Sequence, residues 1–101
     1  MELMQLQVLV AVAEQGTVHK AAVRLSRTTL AVSVAIRRLE EELGLRLFER
    51  SKRHELHLIA AGEELVNYAK RLLSLQDEAL AAVDQVKIAK ACRPKSLGQA
   101  K

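Results

Sequence analysis

Basic side chains are concentrated in residues 27–54, which hold seven Lys/Arg residues against four Glu. Guanidinium and ammonium groups at this density form charge-assisted hydrogen bonds with phosphate oxygens. Hydroxyl side chains in the same part of the chain, among them Thr28, Thr29 and Ser33, can donate or accept further hydrogen bonds. The whole chain carries a formal charge of +4, so its basic character is moderate and local. This chemistry favours a polyanionic partner.

Catalytic and metal chemistry are not indicated by the other reactive side chains. No carboxylate or second cysteine lies at a suitable spacing to form a metal site with His19, His54 and His57. Cys92 is the only cysteine, which excludes an internal disulfide and a multi-cysteine metal site. No nucleophile with a base, paired catalytic carboxylates or glycine-rich phosphate loop is recognisable. We therefore expect no enzyme activity, no cofactor and no metal.

Two short helices are predicted near the amino terminus. Residues 3–14 repeat apolar side chains at helical spacing, and Gly16 is placed to end that helix. A second helix is predicted over residues 18–25, with Thr17 as its N-cap. It contains the small pair Ala-Ala at 21–22, so a crossing helix can approach it closely.

A third helix is predicted over residues 29–43, after a polar turn at residues 26–28. Thr28 is its expected cap and Gly44 its expected end. Its apolar residues recur at i, i+4, i+7 and i+11 and are interpreted as the buried face: Val32, Ile36, Leu39 and Leu43. Two helices joined by a tight turn indicate a helix-turn-helix, which places its second helix in the major groove of DNA.

The segment after the third helix is predicted to be extended. Residues 46–59 include the alternating sequence Leu56-His57-Leu58, which is typical of a half-buried strand. The polar residues 51–54 are expected at the tip of a two-stranded wing.

One long helix is predicted over residues 61–90. Apolar side chains recur there in steps of four and three residues, which is typical of a dimerising seam. That seam comprises Leu65, Ala69, Leu72, Gln76, Ala79, Val83 and Val86. Gln76 either fixes the register between two helices or lies at the edge of the seam. A second stripe, Val66, Leu73 and Leu80, is placed to pack on the winged domain.

Three regions are expected along the chain: residues 1–60 as the winged helix-turn-helix, residues 61–92 as the dimerisation helix, and residues 93–101 as a hinge or tail. No apolar run is long enough to span a membrane, and the amino terminus lacks the features of a signal peptide. We therefore expect a cytoplasmic, nucleoid-associated protein without a membrane partner.

Several motifs resemble those of a known family. They are Leu6 to Gly16, Ala21-Ala22 with Leu25, Ile36 to Gly44 (IRRLEEELG), Leu47 to Arg50 (LFER) and Ala61-Gly62. Over residues 2–90 the chain resembles the N-terminal DNA-binding domain of the bacterial LysR-type transcriptional regulators. The run IRRLEEELGLRLFER is long enough to be specific.

The resemblance implies a mainly α winged helix-turn-helix, with three helices and a two-stranded wing, followed by a linker helix that dimerises antiparallel. It also implies a C-terminal effector-binding domain. A small-molecule effector would act only through that domain. That domain is absent from this chain, so we expect a fragment or an isolated domain. Tetramer formation would belong to the full-length protein.

The sequence departs from the family at the start of the third helix. Members usually carry Ser-Gln-Pro-Ala-Leu-Ser-Arg there, and this chain carries Thr28 to Val34. Thr29 and Leu30 replace the usual glutamine and proline, and Val34 replaces a residue that is commonly basic.

Five residues on the outer side of the third helix are the expected base contacts: Thr29, Leu30, Ser33, Val34 and Arg37. Hydroxyls discriminate weakly between bases, whereas Leu30 and Val34 are suited to thymine methyl groups. The alternative is that Leu30 and Val34 pack against the second helix or a partner.

A further set is expected to contact the DNA backbone or the minor groove: Lys20, Arg24, Arg27, Thr28, Arg38, Arg50, Lys52 and Arg53. Arg53, at the wing tip, is the preferred candidate for the minor groove. For each residue the alternative is a solvated surface charge. Arg37 and Arg38 could instead pair with Glu40, Glu41 or Glu42, and Arg50 with a carboxylate such as Glu49.

The leading interpretation is therefore a regulator domain that binds double-stranded DNA sequence-specifically as a homodimer on an interrupted inverted repeat. The alternative is a winged-helix protein-interaction module that dimerises without reading DNA sequence.

Overall fold

The computed structural model describes residues 1–51, 53 and 55–92, with the side chains of residues 91–92 left undescribed. Its elements are α1 (Leu3–Gln15), α2 (Val18–Leu25), α3 (Thr29–Leu43), β1 (Phe48–Arg50), β2 (Leu56–Leu58) and α4 (Ala60–Cys92). The two strands pair antiparallel, with Phe48 opposite Leu58 and Arg50 opposite Leu56. The fold is the predicted mainly α winged helix-turn-helix followed by a long helix.

Hydroxyl caps begin the two helices of the helix-turn-helix, as predicted. The Thr17 hydroxyl accepts a hydrogen bond from the Lys20 backbone N–H at 3.1 Å. The Thr28 hydroxyl accepts one from the Ala31 backbone N–H at 3.0 Å. Each bond satisfies a donor that the first helical turn leaves without a partner, which is why α2 and α3 begin where they do.

Left-handed residues end the first three helices. Gly16 and Gly44 have φ of 85° and 75°, which confirms them as the stops of α1 and α3. Ser26 ends α2 at φ 55°, and it is the one non-glycine residue with positive φ in the described part of the chain. The turn between α2 and α3 is therefore fixed by a backbone conformation that most side chains disfavour.

The core is built around α1, which contacts α2, α3, α4 and β2. Because other elements surround α1 on several sides, it buries more residues than the single apolar stripe that helical spacing predicts. The buried residues are Leu6, Val8, Leu9, Ala11 and Val12. In α3 the predicted stripe is buried at Val32, Ile36 and Leu39. Leu43 is 40% exposed, so its assignment to the buried face is wrong, because the stripe reaches the edge of the core in the last turn.

Leu47 joins α3, the wing and α4. Its backbone N–H donates to Oε2 of Glu40 at 2.8 Å, and its carbonyl accepts from the Ile59 N–H at 3.0 Å. The first turn of α4 lies directly against the same carbonyl, because Gly62 has no side chain there. A second bond, from Leu56 N–H to the Gly16 carbonyl at 2.8 Å, attaches the wing to the turn after α1. The wing is thus held at both strands.

Only the first part of α4 packs on the winged domain. Val66 is 5% exposed, Ala69 is fully buried, and Leu73 is half-buried against the core. From residue 74 to residue 90 every side chain except Gln76 is exposed. Leu80 is 59% exposed, so its predicted packing on the domain is wrong: the helix has already passed the edge of the core.

Candidate nucleic-acid interface

The outer side of α3 carries the five residues expected to contact bases. Thr29 and Arg37 are exposed, and Ser33 and Val34 are half-buried. Leu30 is 70% exposed, so it does not pack against α2 within this chain. An aliphatic side chain that protrudes from the first turn of a recognition helix can meet a base edge directly.

Exposed cations surround this helix. They are Lys20, Arg27, Arg37, Arg38, Arg50 and Arg53. Within the described residues none of these six forms an ion pair with a carboxylate, so the alternative pairings of Arg37, Arg38 and Arg50 with nearby Glu residues are not present. Their positive charge remains available to phosphates. The predicted contact Lys52, and His54 beside it, lie outside the described residues.

Arg24 differs from these six cations because its charge is paired within the chain, which disfavours its predicted contact with the DNA backbone. Its guanidinium forms an ion pair with Glu14 of α1 at 2.6 Å. The ammonium of Lys70 in α4 approaches the other carboxylate oxygen of Glu14 at 4.0 Å. Arg24 thus lies on the side of α2 that faces α1 and α4, where its charge is compensated within the chain.

A cleft of about 320 Å³ separates α3 from the wing. Its polar lining comprises Ser33, Arg37, Glu40, Arg46 and Arg50, and its apolar lining Val18, Ile36, Phe48 and Leu56. Three guanidiniums therefore share one concave surface with a single carboxylate. Arg46 was missed by the sequence reasoning, since it lies outside the predicted helix and away from the wing tip. Its position between Gly44 and Phe48 in a basic segment was the only available signal.

A second surface is apolar and lies along α4. On one side of this helix the exposed or half-buried residues, here named the α4 apolar face, are Leu65, Tyr68, Leu72, Leu75, Ala79, Val83 and Val86. Tyr68 and Leu75 are 54% and 60% exposed and were not in the predicted seam. Ala69, which was in it, is fully buried in the chain's own core and cannot reach a partner. Gln76 is half-buried, so both interpretations of it stay open.

An apolar groove continues this face onto the winged domain. It is lined by Leu43, Leu45, Leu47, Ala61, Glu64, Leu65 and Tyr68 and has a volume of about 310 Å³. The guanidinium of Arg71 lies 5.2 Å from the centre of the Tyr68 ring, which favours a cation–π contact beside the groove.

The described part of the chain contains neither a metal-binding cluster nor a membrane-spanning helix. Among residues 1–51, 53 and 55–92, no three His, Cys, Asp or Glu side chains come together as a possible metal site. Over the same residues no helix has both the length and the apolar character needed to cross a bilayer.

A helix-turn-helix with an exposed second helix, flanked by a basic cleft and a wing, defines a winged-helix protein of the nucleic-acid-binding class. Residues 3–63 match the model of the family described as "Bacterial regulatory helix-turn-helix protein, lysR family". The chain belongs to the LysR family.

Similar proteins and structures agree with this assignment. The chain is 43% identical over 79 residues to the HTH-type transcriptional regulator YofA of Bacillus subtilis, a match that covers 78% of this chain and 27% of YofA. It is 38% identical over 83 residues to a probable RuBisCO transcriptional regulator of Guillardia theta, covering 82% of this chain and 26% of that protein. The chain thus spans about a quarter of the length of these relatives.

Two solved DNA complexes have the same fold over nearly their whole protein chain. The BenM DNA-binding domain bound to benA site 1 DNA is 36% identical, with a TM-score of 0.80, and the match covers 86% of this chain and 97% of that one. The DNA complex of the CbnR DNA-binding domain is also 36% identical, with a TM-score of 0.75, covering 88% and 98%.

Proposed function

We propose that this chain binds double-stranded DNA sequence-specifically, as the DNA-binding part of a LysR-type transcriptional regulator. The observation that carries the proposal is the exposed side of α3, where Leu30 is 70% exposed and Arg37 has no carboxylate partner among the described residues. The relatives are named as transcriptional regulators, and two similar structures are DNA complexes. A regulator of this type would act in the cytoplasm, at the nucleoid.

The binding unit in this proposal is a homodimer formed through the α4 apolar face. α4 has 33 residues and is therefore about 50 Å long. From its middle to its distal end the helix exposes Leu75, Val83 and Val86 by 55–61%, and no described part of the chain covers them. A second copy running antiparallel would cover them, and its distal half would then lie beside the groove at Leu45 and Tyr68. Such a dimer presents two α3 helices to an interrupted inverted repeat.

The proposed division of the chain follows the same contacts. Residues 1–60 would bind DNA and residues 61–92 would dimerise, although the first turns of α4 also complete the core of the winged domain. Effector binding and tetramer formation would require parts of the relatives that this chain does not span. The proposed tail, residues 93–101, lies outside the described residues.

Selection from a random duplex pool, followed by fluorescence anisotropy at several salt concentrations, tests the proposed function. We expect enrichment of an inverted repeat. A dimer that neutralises about six phosphates should lose roughly a thousandfold in affinity between about 50 and 200 mM salt. Salt-sensitive binding without enrichment would refute sequence-specific reading. A folded dimer that binds no duplex would instead support the interaction-module alternative.

A variant of α3 tests how the bases are read. Val34→Ala should reduce the preference for thymine at one position of each half-site by about fivefold, since about 1 kcal/mol of apolar contact with the methyl group is lost. Deoxyuridine in place of thymidine at that position should weaken binding of the original chain and leave the variant unaffected. Val23→Ala, at a 66% exposed position on α2, is the matched control. An unchanged base preference in Val34→Ala would refute the thymine-methyl contact.

A further inference from the structure

The cleft between α3 and the wing has a charge that its own residues do not neutralise. Arg37 comes from α3, Arg46 from the connection to the wing and Arg50 from β1. Within the described residues no carboxylate lies within ion-pair distance of these three guanidiniums. Glu40, the one acidic residue in the lining, uses Oε2 to accept the Leu47 N–H at 2.8 Å. The cleft therefore has a formal charge of +2 and is open to an anion.

The position of the cleft identifies which anion would meet it. In a winged helix, the recognition helix enters the major groove and the wing reaches toward the adjacent minor groove. The sugar–phosphate strand that separates these grooves must then run between helix and wing. In this chain the space between helix and wing is the cleft, and Ser33 and Arg37 on its wall also belong to the outer side of α3. A phosphate on that strand would lie between Arg37 on one side and Arg46 and Arg50 on the other.

We propose that the α3–wing cleft binds one backbone phosphate of the DNA, with Arg46 as a phosphate-contacting residue alongside Arg37 and Arg50. The inference rests on the proposed DNA-binding function. It adds Arg46 to the contacts and assigns Arg37, an expected base contact, to a phosphate instead. Arginine suits this role because its guanidinium can donate two parallel hydrogen bonds to phosphate oxygens. Because the contact is to the backbone, it sets the orientation of the protein on the duplex and carries no sequence information.

Arg46→Gln is the variant that tests the proposal, and Lys87→Gln is its matched control. Lys87 is an exposed cation on the distal half of α4, paired with Asp84 at 3.9 Å, so its loss changes the net charge equally but outside the cleft. We expect Arg46→Gln to raise Kd by about tenfold on the selected operator and on a scrambled duplex alike. The slope of log K against log salt should fall in magnitude, by at most about 0.9 for each arginine lost from the dimer–DNA complex, since Arg37 and Arg50 remain at the phosphate. Lys87→Gln should leave the slope unchanged.

Neutral methylphosphonate linkages, placed singly along the half-site, identify the phosphate itself. At one position the neutral linkage should weaken binding of the original chain, and it should weaken binding of Arg46→Gln less, because that variant keeps only Arg37 and Arg50 at the same phosphate. Arg46→Lys should restore part of the affinity, because it keeps the charge and loses the two-pronged hydrogen bond. Unfolding by urea is measured for each variant, and Arg46 is exposed, so a loss of fold is not expected.

The outcomes separate this proposal from the proposed function. If the original chain binds its operator with a steep salt dependence and Arg46→Gln binds equally well, the cleft proposal is overturned and DNA binding stands. If affinity falls only on the operator and not on scrambled DNA, Arg46 reads a base and the phosphate contact is refuted. If inorganic phosphate alone saturates the cleft at physiological ionic strength, the site is one for a free anion, which also overturns the proposal. If the original chain binds no duplex, both proposals fail.

Discussion

Gly62→Ala is expected to destabilise the fold by about 3 kcal/mol, although alanine is a better helix former than glycine by about 1 kcal/mol. A Cβ at residue 62 would come within 2.3 Å of the Leu47 carbonyl oxygen and 2.7 Å of Cδ2 of Leu58. The first obstacle is backbone, so it cannot turn aside as a flexible side chain would. Relief requires α4 to move away from Leu47, which breaks the Ile59–Leu47 hydrogen bond and opens the contact between α4 and the wing.

Urea unfolding followed by circular dichroism measures this effect, at one protein concentration throughout, because self-association adds to apparent stability. Ser74→Ala is the control, since Ser74 is an exposed residue of α4 and the change tests helix propensity without a close contact. It should be neutral or slightly stabilising. Equal stability of Gly62→Ala and the original chain would show that α4 can shift without cost, contrary to the tight joint at Leu47.

Leu75→Asp is expected to raise the dissociation constant of the proposed dimer by at least about 100-fold. Leu75 is 60% exposed on the α4 apolar face, near the middle of the helix. In an antiparallel pair a carboxylate there would lose water without gaining a partner, at a cost of several kcal/mol for the two copies. The separated helix should also lose order beyond Leu73, because a short helix without tertiary packing is marginal in water.

Sedimentation velocity across a range of concentrations measures the dimer, and the helical signal at the same concentrations measures the order of α4. Ser74→Asp is the matched control: the neighbouring position points away from the apolar face, so the same charge should remain in water and the dimer should persist. A Leu75→Asp dimer as tight as the original would mean that another surface holds the two copies together. Monomeric Leu75→Asp should bind a single half-site with much reduced affinity for the full inverted repeat.

The boundaries of the helices could be predicted closely because local chemistry determines them. Thr17 and Thr28 supply the hydroxyl acceptors that begin α2 and α3, and Gly16 and Gly44 supply the left-handed turns that end α1 and α3. Each acts within three or four residues of its position, so the sequence around it contains the whole argument. The wing was predicted only as an extended segment with a polar tip, whereas in the structure its two strands pair over three residues each.

The orientation of side chains on α4 could not be predicted in the same way. The first half of the helix has two apolar sides, one that packs on the domain and one that is exposed. The residues of both sides fit the same seven-residue repeat, so the repeat does not separate them. Ala69 fits the predicted seam by spacing but is fully buried in the core, while Tyr68 beside it is 54% exposed. Spacing alone gives no reason to prefer one over the other. The pairing of Arg24 with Glu14 depends similarly on how α2 packs on α1.

The continuity of α4 has a geometric consequence for the DNA site of the proposed dimer. The helix is unbroken from Ala60 to Cys92, so the two recognition helices would be connected through rigid rods of fixed length. Adding one residue to the distal half would rotate one domain relative to the other by about 100° and displace it by about 1.5 Å. Adding seven would change the angle by only roughly 20° and the separation by about 10 Å, close to three base pairs. The spacing between half-sites is then determined by the residue count of α4, independently of which bases α3 recognises.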